Sequence, residues 1–579
     1  MASIKTSLEV TIFTAALLFG FYCLSNLMLI LLSDHFRFRD NNSLNDKLLT
    51  RIDKVTVSTP YSRYIGFVQH VLPDHPNVNT FLDIPYAEPP VGDLRFKRPV
   101  GFNRKLNKTC TTFGNKCPQI NKPNPFYTDV SSGISEDCLH LNIWSPTESN
   151  GKLKPVMVWF FGGAFFQGSS LFDETDGRVL ASIGDVVVVT FEFRVGALGF
   201  LDLGTDDESG NQALYDQVMA LKWIQANIEF FGGDPSSVTL FGSASGSMSI
   251  GMHMMSPEST GLFNRVIMQS ESPLMPFSFF YSDESLVKKF VSILGCSSEQ
   301  ISCLKEKSIE EILSSSQVIH DQHFFVFKPK LDDDFFDLGS PSEIRNLDQN
   351  EKDDIFKGIK EVMLGTNTKG FSFMMYQANE TIYGLKKVKK RINSLADVRE
   401  TMTEDLRYLL NMADYKVDFI TRPAFKNINS SSEEIWLDRL VRVLTDISFV
   451  CPINLLAEQL ASLDKPVYLY EFSHRTSNSI WGDWFGPTLH DEVPYVFGYP
   501  LRFPYKYSKE EVNFSMRLVK TWSHFAKTGK VLDQLNQEWP PFTTKDKAFM
   551  KLDTVSAKIG WNQSQETCDI FRLDFDLTK

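Results

Sequence analysis

The stretch Val238–Gly251, VTLFGSASGSMSIG, decides the fold. Its first residues are β-branched and aromatic, as in a strand, and a glycine-bracketed turn then leads into a run that opens a helix. Strand, sharp turn and helix are the setting of G-x-S-x-G, the elbow that presents a serine hydroxyl for nucleophilic attack. Here the frame reads Gly242-Ser243-Ala244-Ser245-Gly246, so its centre carries only a methyl group. Ser243 and Ser245 do not replace the missing hydroxyl, because the elbow aims one side chain and points its neighbours elsewhere.

Working outward, apolar runs recur at VMVWFF from Val156, DVVVVTFEF from Asp185 and SVTLFG from Ser237, with the amphipathic segment NQALYDQVMALKWIQANIEFF between the last two. Near-continuous β-branched runs that alternate with helices predict a mostly parallel central sheet covered on both faces. We expect one α/β domain over 55–572, since neither a long linker nor a repeat divides it, followed by a short tail, 573–579. A hydrophobic share of 42% against 22% charged residues suits a large buried core and excludes disorder. The net charge of -12 argues against a nucleic-acid partner, which calls for a basic stripe. No motif calls for a cofactor or a metal.

The N-terminus has its own signature. Val10–Ser33 is an uncharged run long enough to cross a bilayer, preceded by a short tail, 1–9, and followed by a polar stalk, 34–54. Three readings stand: a transmembrane signal anchor, a signal peptide cleaved near Cys23-Leu24-Ser25, or a buried helix of a soluble protein. The sequons Asn41, Asn107, Asn379, Asn429, Asn513 and Asn562 all follow the run, which places the large domain outside or in the lumen, as a type II membrane protein or a secreted one. Eight cysteines in a chain with an entry signal point to an oxidising compartment.

Several longer motifs carry a resemblance: FLDIPYAEPPVGDLRFKRP from Phe81, SEDCLHLNIWSP from Ser135, RVGALGFL from Arg194, FGGDPSSVTLFG from Phe231, HDEVPYVFG from His490 and FAKTGK from Phe525. Together they resemble the type-B carboxylesterase and cholinesterase family from about Val55 to Phe571, which implies the α/β-hydrolase fold. The resemblance pairs Cys117 with Cys138, Cys296 with Cys303, and Cys451 with Cys568, leaving Cys110 either as a buried thiol or for an intermolecular bond.

The same resemblance locates the catalytic positions. A working hydrolase needs serine, a general base, a carboxylate that orients the base, and backbone N–H groups for the oxyanion. The nucleophile position is Ala244. The acid position, in GTNTKGFSF, is Lys369, whose ammonium would disfavour an imidazolium. Only His490 matches its counterpart, as a retained packing or hydrogen-bonding residue. In WFFGGAFFQG the oxyanion positions are Gly163, Ala164 and Ser245, with Ala164 standing where the family usually carries glycine. Trp159, Phe160, Phe161, Phe165 and Phe166 read as core and gorge lining. The loop from Cys117 to Cys138 has no tryptophan, so a choline platform is not evident and Phe126 or Tyr127 would be a weaker cation seat.

These losses imply an inactive ectodomain similar to the cholinesterase-like adhesion molecules, neuroligins, gliotactin and neurotactin, with an N-terminal anchor as in neurotactin. The partner expected is a cell-surface or extracellular protein. The alternatives are a binding protein that keeps the gorge for an apolar ligand, and an active esterase by another route. Phe514, Leu518, Trp522 and Phe525 form one apolar helix face, which either packs into its own domain or, as the resemblance suggests, builds an intersubunit bundle in a homodimer.

Overall fold

The computed structural model describes residues 53–120, 127–148, 151–204, 210–275, 284–297, 301–323, 326–330, 334–336, 344, 346–382, 396–397, 400, 433–481, 485–569 and 572. The apolar run Val10–Ser33, the tail 573–579 and Phe126 lie outside them. Contacts divide the chain into a unit Met1–Lys54 and a unit Val55–Lys579, and the second holds the sheet and the elbow.

The expected strands are present, and thirteen among the described residues join one sheet. In chain order they are β1 Lys54–Ser58, β2 Ser62–Gln69, β3 Val78–Pro85, β4 Leu106–Thr109, β5 His140–Pro146, β6 Lys154–Phe160 and β7 Val187–Phe191. There follow β8 Gly233–Ser243, β9 Arg265–Gln269, β10 Glu361–Asn367, β11 Val467–Phe472, β12 Ala548–Leu552 and β13 Ala557–Trp561. The spatial order is β1-β2-β3-β5-β7-β6-β8-β9-β10-β11-β12-β13, with β4 beside β2. From β7 to β12 every pairing is parallel, while β2-β3, β3-β5, β5-β7 and β12-β13 are antiparallel. The sheet is therefore mixed, with a parallel centre and antiparallel flanks. The reason lies in burial: only the central strands, such as the fully buried VVVTF of β7, need cover on both faces.

The amphipathic segment forms the helix Gln212–Asn227, and the run after the elbow forms the helix Ser245–Met254. The long helix Lys509–Thr528 starts at a capping box, in which Ser508 Oγ accepts from Glu511 N–H while the Glu511 carboxylate accepts from Ser508 N–H. Its apolar face answers the question of association. Phe514, Leu518, Trp522 and Phe525 are each 0% exposed, and Trp522 Nε1 donates to Gln269 Oε1 at 3.2 Å. The face packs into its own core, so it is not available for the intersubunit bundle. The helix Glu434–Ala461 is also long and apolar enough to span a membrane, but 89% of its most apolar window is buried in the domain.

Three disulfides join the pairs implied by the resemblance, Cys117–Cys138, Cys296–Cys303 and Cys451–Cys568. Cys110 is a buried free thiol, its pKa pushed up to about 12 by burial, so an intermolecular disulfide through it is closed off. Asn107, Asn513 and Asn562 lie at least partly open to solvent; Asn41 and Asn429 lie outside the described residues, and Asn379 is described in its backbone alone.

Candidate functional site

The strand β8 ends in the elbow because Gly246 lets the following helix close on β6: a Cβ there would lie 2.1 Å from the Phe160 carbonyl oxygen. Between strand and helix, Ala244 holds φ 53° and ψ -128°, a backbone region that costs of order 1–3 kcal/mol for a residue with a side chain. Its N–H donates to Gln269 O at 3.0 Å and its own carbonyl accepts from Met248 N–H, which fixes the turn. The methyl group is aimed into a cavity of about 220 Å³ shared with Gly162, Gly163, Phe373, Leu489 and His490. The strained tip of the elbow thus presents a hydrocarbon.

The loop after β11 brings two side chains to the elbow. Leu489, 2% exposed, packs with Ala244 and Phe373. His490 follows at φ 75°, in the left-handed region, with its ring between the edges of Tyr127 and Phe373. His490 is therefore hydrogen-bonded, but not to residue 244: its Nδ1 lies 2.9 Å from Ser243 Oγ. Burial pushes its pKa down to about 4, so the ring is neutral at pH 7. Ser243 is 0% exposed and also reaches Glu492 Oε1 at 3.4 Å. Glu492 is held by Gln269 Nε2 at 2.9 Å and by Asn367 Nδ2 at 2.6 Å, while burial raises its pKa. Ser243, His490 and Glu492 thus form a buried network beneath the elbow, in which His490 lines the cavity and Ser243 does not.

Lys369 does not sit against His490. Its Nζ pairs with Asp438 Oδ1 at 2.7 Å, on the helix Glu433–Thr445, and its N–H donates to Pro487 O. The expected electrostatic conflict with an imidazolium is accordingly replaced by an ion pair elsewhere. Among the described residues, the hydroxyl of Ser243 is what orients the ring of His490.

The oxyanion positions are altered too. Gly163 N–H donates to Ser245 Oγ at 3.0 Å, so the residue beside the elbow consumes the donor it was expected to assist. Ala164 and Phe165 both lie at positive φ, 54° and 66°, where glycine would be relaxed. The five aromatic residues from Trp159 to Phe166 are core rather than cavity wall: Phe161 stacks on Phe193 with centroids 4.0 Å apart, and Phe166 lies 4.6 Å from His320. The aromatic cavity wall is Tyr127, Phe172 and Phe373 instead.

One site residue was missed by sequence reasoning. Glu271, two residues after β9 in the segment QSESPL, lines the cavity at 5% exposure. No described residue donates to its carboxyl, and burial alone pushes its pKa up to about 8. The available signal was a single acidic residue placed among buried ones at the end of a central strand.

A mixed sheet with flanking helices and an elbow between its central strand and the next helix defines an α/β-hydrolase fold, here with Ala244 at the tip of the elbow. The chain belongs to the carboxylesterase family, whose pattern matches residues 53–571. It is 32% identical over 545 residues to the Cholinesterase of Mus musculus, covering 90% of this chain and 86% of that relative. It is 33% identical over 523 residues to the Acetylcholinesterase of Bungarus fasciatus, with 87% and 84% covered, and 32% identical over 555 residues to that of Danio rerio, with 86% and 85% covered.

Proposed function

We propose that this chain is a non-hydrolytic carboxylesterase-family protein that acts by recognition at the cell surface, held there by Val10–Ser33 as a type II anchor. The observation that carries this reading is Ala244 at the strained tip of the elbow, since a methyl group can be neither deprotonated nor acylated. The packing of Leu489 on Ala244 and the capture of Gly163 N–H by Ser245 support it, because base and oxyanion donor are withdrawn along with the nucleophile. Three disulfides and the solvent-accessible sequons Asn107, Asn513 and Asn562 support an extracellular domain. The partner is an extracellular or cell-surface protein.

The test uses full-length protein with a C-terminal tag, expressed on cells. The tag should be reached by antibody without permeabilisation, N-glycosidase should lower the mass, and the cells should adhere to cells of another type in a manner blocked by antibody to the domain. Serine-dependent hydrolysis of short-chain or thiocholine esters by the same protein would overturn the reading.

A further inference from the structure

A second cavity, of about 410 Å³, opens at the opposite edge of the sheet from the elbow. The elbow follows the last residue of β8, whereas this cavity is built from residues that lead into β9 and β10, and the three strands run parallel. Its floor is apolar. Met254, Met255, Phe263 and Ile359 line it at 3–5% exposure. His253 and Ser259 in the same wall are committed to each other at 2.7 Å, and the second ring nitrogen of His253 to Gln217 Oε1 at 2.8 Å. Ser256 is not: it is 4% exposed, and its hydroxyl has no partner among the described residues. Buried hydroxyls normally have one, so this hydroxyl is a group for a ligand to satisfy.

The rim carries both signs of charge. Asp354 lies in the last turn of the helix Gln349–Ile355 and Lys357 two residues beyond that helix. On a continuing helix, opposite charges three positions apart would close on each other. Here the helix stops between them, both side chains are exposed, and neither enters an ion pair among the described residues. Gly261 and Gly358 complete the rim. Neither N–H has an acceptor among the described residues, and a Cβ on Gly358 would meet nothing nearer than Gly261 N at 4.0 Å, so the two backbones adjoin with open space between them.

We propose that this cavity binds a free α-amino acid with a bulky apolar side chain. Its carboxylate accepts from Lys357, the Ser256 hydroxyl and the N–H groups of Gly261 and Gly358, four donors for an acceptor with about four lone-pair sites. Its ammonium donates to Asp354, and its side chain lies on Met254, Met255 and Phe263. Both charges are needed. An apolar carboxylate would meet Asp354 without compensation, and an apolar amine would meet Lys357 in the same way. The side chain is needed too, because ion pairs at an exposed rim hold a ligand weakly by themselves. Nothing in this binding depends on the elbow, so the proposal goes beyond the reading of a non-hydrolytic surface protein and stands or falls apart from it.

The experiment is calorimetric titration of the full-length protein in detergent micelles with L-phenylalanine, 3-phenylpropanoate, 2-phenylethylammonium and L-alanine. L-Phenylalanine should bind at least tenfold more tightly than each of the other three. Asp354→Ala should weaken it at least fivefold and shrink its preference over 3-phenylpropanoate, while Lys357→Ala should weaken it likewise and shrink its preference over 2-phenylethylammonium. Both residues are exposed, so the melting temperature should not move. Gly358→Leu, whose Cβ has room, should fill the mouth and abolish binding without touching either charge. Failure of L-phenylalanine to bind would overturn the site. So would equal binding of 3-phenylpropanoate or 2-phenylethylammonium, which would show one charge to suffice, or of L-alanine, which would show the floor to be unused. L-Phenylalanine affinity unchanged in the three variants would place its binding elsewhere and overturn this assignment.

Discussion

Restoring the hydroxyl at the elbow is the perturbation that separates a missing nucleophile from a dismantled site. Ala244→Ser adds one oxygen to a residue already held at φ 53° and ψ -128°, so it asks for no new backbone strain. Three defects persist in that variant. Leu489 still packs on residue 244, His490 Nδ1 is still tied to Ser243 Oγ at 2.9 Å, and Gly163 N–H is still donated to Ser245 Oγ at 3.0 Å. In a serine hydrolase the loss of the base alone costs about as much as the loss of the whole triad, roughly 10⁶-fold. Losing one oxyanion donor costs a further factor of about 10²–10³. Ala244→Ser alone should therefore hydrolyse p-nitrophenyl acetate within about tenfold of the unsubstituted protein. Adding Leu489→His and Ser245→Ala supplies a base beside the hydroxyl and frees the Gly163 donor, and should raise turnover by about 10²-fold or more over the single variant. Unchanged melting temperatures make the comparison fair. Turnover of Ala244→Ser that rises far above the unsubstituted protein and equals that of the triple variant would refute the reasoning, because it would mean that a base and an oxyanion hole were present all along.

Three further outcomes are expected of the scaffold. Arg194 and Asp216, 3% and 0% exposed, make a bidentate buried pair at 2.7 and 2.8 Å, so Asp216→Ala should cost about 3–5 kcal/mol in urea unfolding, and Arg194→Met with Asp216→Leu should lie closer to the parent. By loop-closure entropy, replacing both Cys451 and Cys568, 117 positions apart, should cost about 5 kcal/mol in the same unfolding measurement, against about 2.5 kcal/mol for Cys296 and Cys303, 7 apart. His253, fixed between Ser259 Oγ at 2.7 Å and Gln217 Oε1 at 2.8 Å, has its pKa pushed down to about 3 by burial. Its folded form binds fewer protons than its unfolded form, so it withdraws stability as the pH falls below 6.5 toward 3. His253→Gln should consequently lose about 2 kcal/mol less than the parent between pH 6.5 and pH 5, and the difference between the two curves removes the opposite contributions of Glu271 and Asp491, whose pKa values are pushed up to about 8.

Much of the fold was legible in the sequence. The runs at Val156, Asp185 and Ser237 became β6, β7 and β8 because continuous β-branched burial leaves a strand few alternatives, and the glycines around Ala244 signalled the elbow. The antiparallel flanks were not legible, since pairing direction is a property of neighbours that sequence order does not display. At the site, position along the chain misled. Leu489 and His490 are adjacent, and which of them meets Ala244 depends on the positive φ of His490, a backbone state that its side chain does not announce. Lys369 found Asp438 on a helix distant in sequence, and Gly163 found Ser245 across the elbow. Glu271 was passed over because a lone acid belongs to no motif; only its burial without a donor marks it.

The central claim is that no serine at this elbow is a nucleophile, and covalent labelling tests it most directly. Full-length protein is treated with a fluorophosphonate, digested, and the peptide holding Ser243, Ser245 and Ser247 is weighed. An unmodified peptide is expected, because Ser243 is sealed in its bond to His490 and Ser245 is committed to Gly163. A stoichiometric adduct on Ser243 or Ser245 that disappears in His490→Ala would contradict the claim, and would make this a hydrolase with a displaced nucleophile.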